Sequence, residues 1–383
     1  MIGRFLAALV ASALCIAPLS AQVARGYQPQ DEDERGLWMV MDEYERELQA
    51  SNFVIRDPAL NAYVNEVFCR IAGDQCEDVR IYIVRTPYFN ASMAPNGVMQ
   101  IWSGLFLRAR NEAQLAAVLG HEFTHYRNLH SLQQFRTVRD RTNVMSFLGI
   151  GLFVAGGGLL ATAGQLAMIG SLFAYSREME READSESVRL LAEAYYDPSA
   201  ASRVWTQLIA ERGAREEERG RRDRGEDAIF GTHPLSAERM ADLQVRAERF
   251  GAEGETYRAR YQAMLAAHWQ DLIDDQINLN DFGATEHLLE SLASDGWTSE
   301  LYYARGELYR ARAQTGDIET STRYYRAVVD RQPDFALAWR GLGYALLRLD
   351  RTEDGQAALR RYLELAPDAE DAPMASMLTG VTP

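Results

Sequence analysis

The segment His-Glu-Phe-Thr-His at residues 121–125 constrains the fold of this chain more than any other feature. Its two histidines are four residues apart, so on a helix both imidazoles project from one face, about one turn from each other. That separation suits two of the four bonds of a tetrahedral zinc ion. Because the five-residue pattern also arises in unrelated chains, it predicts a metal site only if further ligands are found elsewhere in the sequence.

Glu122 lies between these histidines and is rotated by about 100° from His121 around the helix axis. Its carboxylate is therefore expected to reach a water at the metal rather than to bind the metal, which would make it the general base. Asn111 and Gln114 form a capping-box pair, which predicts that the helix begins after residue 111 and continues to about Leu129.

A third ligand is available in the stretch Ser176–Asp184, where Glu180 and Asp184 are again four residues apart. One carboxylate could bind the ion while the other accepts a hydrogen bond from an imidazole. The acidic residues stand among arginines, however, which is also typical of a solvated helix face, and spacing alone does not choose between the two interpretations. Two His and one Glu would leave the fourth position of the metal open, as in catalytic zinc sites.

The first residues are typical of a secretory signal peptide, predicted to span residues 1–21. Arg4 precedes an apolar run, Phe5–Ile16, that is short for a membrane span. In an exported protein Cys69 and Cys76 are expected to form a short-loop disulfide, with two free thiols as the alternative.

Two domains are predicted. The first, residues 31–256, begins with helical periodicity over 31–72, followed by a small antiparallel sheet with strands at 79–85 and 97–102. The second, residues 257–383, is wholly helical. Proline recurs there after 34 residues, at Pro333 and Pro367, as in tetratricopeptide repeats.

Two segments remain open to more than one interpretation. No charged residue occurs in 144–175, which is long enough to cross a bilayer. Three consecutive glycines interrupt it and its two flanks belong to the predicted metal site, so a helical hairpin packed on the domain or dipping into a membrane surface is favoured over a single crossing. Residues 211–227 mix arginine with acidic residues and are expected to form a solvated loop or frayed helix.

The charge balance excludes one class of partner. Forty basic against fifty-five acidic residues give a net charge of −15, which repels nucleic-acid phosphates. Nucleic-acid binding is therefore not expected.

Three motifs in order, namely residues 121–125, Ser176–Asp184 and Thr232-His233-Pro234, resemble the gluzincin peptidase family that includes HtpX and the CAAX prenyl endopeptidases. Within that family, an exported chain with C-terminal tetratricopeptide repeats is similar to the BepA-type periplasmic proteases, which also act as outer-membrane assembly factors. The resemblance covers about residues 35–250 and 257–367. It implies an α+β fold, in which a mainly helical gluzincin domain with a small antiparallel sheet precedes an all-α tetratricopeptide-like domain.

The resemblance also implies roles for single residues. One zinc ion would be bound by His121, His125 and Glu180. Glu122 would be the catalytic base, and Asp184 would orient a ligand histidine. His233 would lie near the metal, either as a movable fourth ligand that keeps the enzyme latent or as a donor to the oxyanion.

Other matches concern the substrate. Asn90 and Ala91 correspond to an edge-strand pair that aligns substrate, and Arg239 corresponds to a position that faces it. His130, His268 and His287 match no motif and are expected to be ordinary core or surface residues.

The function predicted from these features is zinc-dependent endoproteolysis of misfolded or misassembled envelope proteins in the bacterial periplasm, with chaperone activity through the repeats. Protein or peptide substrates, including outer-membrane proteins, are the expected partners, and residues 144–175 could give peripheral membrane contact. Two alternatives are kept: a catalytically silent scaffold with a vestigial metal site, and a membrane-embedded protease.

Overall fold

The computed structural model describes residues 22–141, 175–220, 233, 237–251 and 254–379. The predicted signal peptide and residues 144–174 of the uncharged segment lie outside the described residues. Within the described ranges no helix has both the length and the apolar character needed to cross a membrane.

The described residues begin with two helices, α1 (Glu32–Ala50) and α2 (Pro58–Ala72), within the range 31–72 that was predicted to be helical. The segment between them supplies a new helix start. Pro58 occupies the first turn of α2, where its missing N–H costs nothing, and the Asp57 side chain accepts a hydrogen bond from the Leu60 N–H at 2.7 Å. After α2 the predicted disulfide is present: it joins Cys69 to Cys76 across a 3-10 turn, with Cα atoms 4.8 Å apart.

Three strands form a small sheet: β1 (Arg80–Val84), β2 (Ala91–Met93) and β3 (Val98–Trp102). Their order is β1-β3-β2, with β1 parallel and β2 antiparallel to β3. The predicted antiparallel sheet is therefore corrected to a mixed one. The turn at 94–97 joins β2 to β3, and β2 has only three residues, too few to show an alternating pattern in the sequence. Because β2 occupies one side of β3, β1 pairs on the other side. At Gly97, with φ +86°, a Cβ would lie 2.3 Å from the Asp78 carbonyl oxygen, which requires glycine.

The described residues between 104 and 249 form six further helices: α3 (Gly104–Arg108), α4 (Glu112–Arg127), α5 (His130–Arg141), α6 (Arg177–Glu193), α7 (Ala200–Arg219) and α8 (Ala237–Arg249). Helix α4 is central, since every residue from Glu112 to Tyr126 is buried. Its start is fixed by the predicted pair: Asn111 Oδ1 accepts from the Gln114 N–H at 3.0 Å, and Gln114 Oε1 accepts from the Arg110 N–H at 2.8 Å. This fixed start sets the rotation of the residues that follow on α4.

Residues 211–219, predicted to be a solvated loop or frayed helix, belong to helix α7, and the predicted solvation is wrong for two of them. Glu211 and Arg215, one turn apart, are both buried and form ion pairs with Arg108 and Asp281 from other elements. Alternating charges predicted exposure, but their partners are distant in sequence. Residues 221–227 lie outside the described part of the chain.

Eight α-helices lie within the described residues 254–379: α9 (Arg258–Ala266), α10 (Trp269–Asn278), α11 (Phe282–Leu292), α12 (Ser299–Arg312), α13 (Asp317–Arg331), α14 (Ala336–Arg348), α15 (Thr352–Leu365) and α16 (Ala372–Thr379). Residues of α9 to α11 such as Tyr261 and Ile273 belong to the same hydrophobic core as Leu119 of α4. The core is thus continuous across residue 257, and the division into two domains stays a prediction.

Tyr325 shows how the later helices pack. Its ring is fully buried between Gly306 of α12 and Gly341 of α14, and a Cβ at either glycine would lie 2.7 Å from a ring carbon. Small residues are therefore required where these helices cross the ring. The assignment of residues 257–367, α9 to α15, as tetratricopeptide repeats remains a prediction.

Candidate metal centre

Helix α4 brings the two histidines of the central motif together. The Nε2 atoms of His121 and His125 are 3.1 Å apart, and both side chains are buried. The rings project from the same face of the helix, as the spacing of four residues predicts. Glu122 follows on the neighbouring face and is also fully buried.

Helix α6 contributes the third group. Ser176 caps the helix by accepting a hydrogen bond from the Met179 N–H, and Glu180 follows in the first turn. Glu180 Oε1 lies 3.5 Å from His125 Nε2, and its Oε2 lies 3.6 Å from His121 Nε2. The two helices pack side by side, with the Ser187 hydroxyl donating to the Ala117 carbonyl at 2.8 Å. Glu180 rather than Asp184 therefore faces both imidazole Nε2 atoms.

His233 approaches the same point from the chain before α8. Its Nδ1 lies 3.3 Å from His121 Nε2 and 2.8 Å from Glu180 Oε1. One ligand atom from each of His121, His125, Glu180 and His233 lies within 4.8 Å of the others. His233 thus occupies the side of the cluster that a three-ligand site would leave open.

The geometry of this cluster fits one divalent cation. A tetrahedral zinc ion with bonds of about 2.0–2.1 Å separates its ligand atoms by about 3.3 Å, close to the distances found here. Imidazole nitrogens that face one another cannot all be satisfied by hydrogen bonds among themselves. In addition, neither oxygen of Glu122 has a hydrogen-bond partner among the described residues, although Glu122 Oε1 is 3.5 Å from His233 Nε2. A cation with a water would satisfy both requirements.

Asp184 and Arg239 form a layer behind the ligands. Asp184 Oδ1 is 3.2 Å from His121 Nδ1, the position from which a carboxylate orients a ligand imidazole. Arg239 donates to both Asp184 oxygens at 2.8 and 2.9 Å, and its Nη2 is 2.9 Å from Glu180 Oε2. The Arg239 guanidinium therefore lies against these two carboxylates, and its contact with substrate stays a prediction.

Burial and neighbouring charges set the protonation of the cluster. Burial raises the pKa of Glu122, although His233 and His121 oppose this. Burial, followed by the proximity of His121, holds the pKa of His125 well below its ordinary value, so this imidazole is neutral and able to act as a ligand. For His121 burial acts downward, but hydrogen bonds with Asp184 and Glu180 outweigh it and raise the pKa to about 10. A metal ion bound at His121 Nε2 would displace the proton there.

The predicted substrate strand lies beside this centre. Helix α4 packs against β2, and Ala91, the first residue of β2, pairs with Ile101 of β3. The Asn90 carbonyl accepts from the Trp102 N–H at 3.0 Å, whereas Asn90 Oδ1 is buried and has no hydrogen-bond partner in the described part of the chain. β2 is an edge strand of the sheet. The roles of Asn90 and Ala91 with substrate remain predictions.

Sequence reasoning missed two side chains that touch the centre. His130 is buried, with its Nδ1 2.8 Å from His125 Nδ1. Tyr175 stacks on the His125 ring, with centroids 3.7 Å apart and planes at 10°. Helical periodicity could not reveal His130, because α4 ends at Arg127 and Leu129, with φ of 53°, redirects the chain so that α5 begins at His130.

The pattern of Peptidase family M48 matches residues 54–247, which include every residue of the cluster. The β-barrel assembly-enhancing protease of Escherichia coli (strain K12) is 28% identical over 222 residues, which cover 54% of this chain and 43% of that protein. The mitochondrial metalloendopeptidase OMA1 of Schizosaccharomyces pombe is 28% identical over 218 residues, covering 54% of this chain and 60% of that protein.

The chain thus spans about half the length of these curated relatives. The family match extends over more than half of the chain and includes the two helices that carry His121, His125 and Glu180. This chain belongs to peptidase family M48.

Proposed function

We propose that this chain is a zinc-dependent endopeptidase that degrades misfolded or misassembled proteins of the bacterial envelope. The observation that carries the proposal is the convergence of His121, His125 and Glu180 beside the buried carboxylate of Glu122. Nitrogen donors with one carboxylate, at tetrahedral spacing and without cysteine, favour zinc in a catalytic rather than a structural site.

When bound, the ion would supply Lewis-acid chemistry, polarising the scissile carbonyl and lowering the pKa of water to about 7. Glu122 accepts the proton of the attacking water and later delivers it to the leaving amine. Its raised pKa suits this exchange, because a carboxylate with a higher pKa is a stronger base. Asp184 keeps the His121 ring oriented, and Arg239 fixes Asp184 in turn.

The substrate would bind as an extended peptide. β2 is an edge strand, and an edge strand can pair with a further strand through its main-chain groups. Asn90 and Ala91 begin this edge, and they would hold the substrate backbone while the sequence preference comes from its side chains.

His233 gives the same site a latent state. Because its Nδ1 lies 3.3 Å from His121 Nε2 and 2.8 Å from Glu180 Oε1, it would occupy the position that water and substrate need. A client or partner would have to displace it. His233→Ala is expected to cleave casein faster than the parent, and an unchanged or lower rate would contradict latency.

The test of catalysis compares Glu122→Gln with the parent chain on unfolded casein. The parent is expected to cleave and to lose activity with a chelator, whereas Glu122→Gln keeps the metal and loses at least about 100-fold in rate, the usual contribution of a general base. Equal, residual turnover in both proteins would favour the scaffold alternative with a vestigial site.

The periplasmic location, the envelope substrates and the chaperone role are part of the proposal. They are supported by the predicted signal peptide and by the name of the Escherichia coli relative. Carbonate extraction of membranes tests the location, because a soluble periplasmic enzyme is released into the supernatant. Retention in the pellet would favour the membrane-embedded alternative.

A further inference from the structure

The two histidines of α4 are held by different groups at their outer nitrogens. His121 Nδ1 faces a carboxylate, that of Asp184, at 3.2 Å. His125 Nδ1 faces another imidazole, with His130 Nδ1 at 2.8 Å. The second nitrogen of His130, Nε2, lies 3.3 Å from Glu182 Oε2. His125, His130 and Glu182 thus form a series of neighbouring side chains that leads away from the metal centre.

Only one set of tautomers lets the neutral His125 act as a ligand. Its Nε2 must present a lone pair to the ion, so its proton is on Nδ1 and needs an acceptor. His130 Nδ1 must then be unprotonated, which puts the proton of the neutral His130 ring on Nε2. That proton is donated to Glu182, so the His125–His130 and His130–Glu182 hydrogen bonds each have one donor and one acceptor.

We propose that His130 is a positioning residue of the metal centre, which accepts the His125 Nδ1–H and so keeps His125 Nε2 directed at the ion. The inference rests on the metal site of the proposed function. His130 is 1% exposed, and its Nδ1 meets the four-residue cluster at His125 Nδ1. It acts on the ion only through that ligand.

Two further contacts restrain the series of His125, His130 and Glu182. Glu182 is held from its other oxygen by Asn128, whose Nδ2 donates to Oε1 at 2.8 Å. Tyr175 covers one face of His125, and its hydroxyl lies 2.9 Å from Ser131 Oγ, next to His130. Stacking restricts tilting of the His125 ring, and the hydrogen bond with His130 sets its rotation within the plane. The hydrogen bond comes from His130, the first residue of α5, and the stacking comes from Tyr175, which precedes the α6 cap residue Ser176.

The test uses two substitutions of His130 in the full mature chain. His130→Gln keeps a side-chain oxygen that can accept from His125, whereas His130→Phe keeps a planar ring and removes the acceptor. Zinc affinity is measured by competition with a chelator of known affinity. We expect His130→Phe to bind zinc about 10–100-fold more weakly than the parent and His130→Gln to recover most of that loss. His287→Phe, the same substitution on α11, is the matched control and should leave the affinity unchanged.

A second measurement separates positioning from folding. The melting temperature is recorded without metal and with saturating zinc, and the cobalt(II)-substituted proteins are compared by their visible absorption. A positioning role predicts that His130→Phe reduces the metal-dependent rise in melting temperature and alters the cobalt spectrum, while the metal-free melting temperature falls less.

Two results would overturn the inference: zinc affinity of His130→Phe equal to that of the parent, or equal losses in the Phe and Gln variants. In either case the parent still binds zinc, so the proposed function stands. A parent chain that binds no metal would overturn both.

Discussion

A buried ion pair between α3 and α7 lies in the part of the chain that carries the metal centre, and its arginine also bonds to a C-terminal helix. Arg108 of α3 and Glu211 of α7 are 3% and 5% exposed, and the guanidinium donates to the carboxylate at 2.6–3.1 Å. Arg108 also donates to Gln276 of α10 at 3.0 Å. Helix α7 in turn packs Trp205 edge-on against His121, with ring centroids 5.7 Å apart. This pair should therefore support both the helical packing and the site.

Arg108→Met leaves the Glu211 carboxylate buried without its cation, and Glu211→Leu leaves the guanidinium buried without its anion. Each change should lower the free energy of unfolding by about 3–5 kcal/mol, as when one partner of a buried pair is removed. The double variant removes both charges, so its cost should be smaller than the sum by at least about 2 kcal/mol. A residual cost is expected, because Gln276 and the carbonyls of Pro87 and Gly104 lose the Arg108 donor.

Urea unfolding followed by circular dichroism and by tryptophan fluorescence measures these values, with Trp205 and Trp269 reporting from α7 and α10. Metal-free protein is used, so that changes in zinc affinity do not enter the stability. Single variants that cost under about 1 kcal/mol, or costs that add in the double variant, would refute the reasoning.

Further predictions concern stability and metal binding. The Arg80 hydrogen bond lowers the pKa of Glu45 below 4.5, so its stabilisation is complete above that pH and is lost as the pH falls further; Glu45→Gln should flatten this part of the stability profile. Gly341→Ala should lower stability by about 1–3 kcal/mol in urea unfolding, because its methyl group would overlap the Tyr325 ring, and an unchanged midpoint would contradict that packing. Asp184→Asn should weaken zinc binding about 10–100-fold by chelator competition, and parent-like affinity would exclude its orienting role.

Local patterns predicted the parts of the site that depend on one helix. The spacing of His121 and His125 and the cap at Asn111 follow from helix geometry, and the structure shows both. Glu180 could not be distinguished from Asp184 by spacing, since both lie on the inner side of α6. Only the packing of α6 against α4 directs Glu180 to the Nε2 atoms and Asp184 to His121 Nδ1.

Contacts between residues that are distant in the sequence could not be predicted from local sequence patterns. The sheet was predicted to be antiparallel because the hairpin turn at 94–97 is visible in sequence, while the three-residue β2 is not. Glu211 and Arg215 looked solvated because their partners come from other elements. His130 was expected to be ordinary because it matches no motif. A left-handed residue, Leu129, turns its helix toward His125, and no periodicity encodes such a turn.

The central claim is that one divalent ion, held by side chains of α4 and α6, makes this chain a peptidase. Elemental analysis of the purified, folded chain, combined with casein cleavage before and after chelation, tests it most directly. We predict one zinc per chain, with cleavage that is lost on chelation and restored by added zinc. A folded chain that carries no transition metal, or that cleaves casein equally well after complete removal of zinc, would contradict the claim.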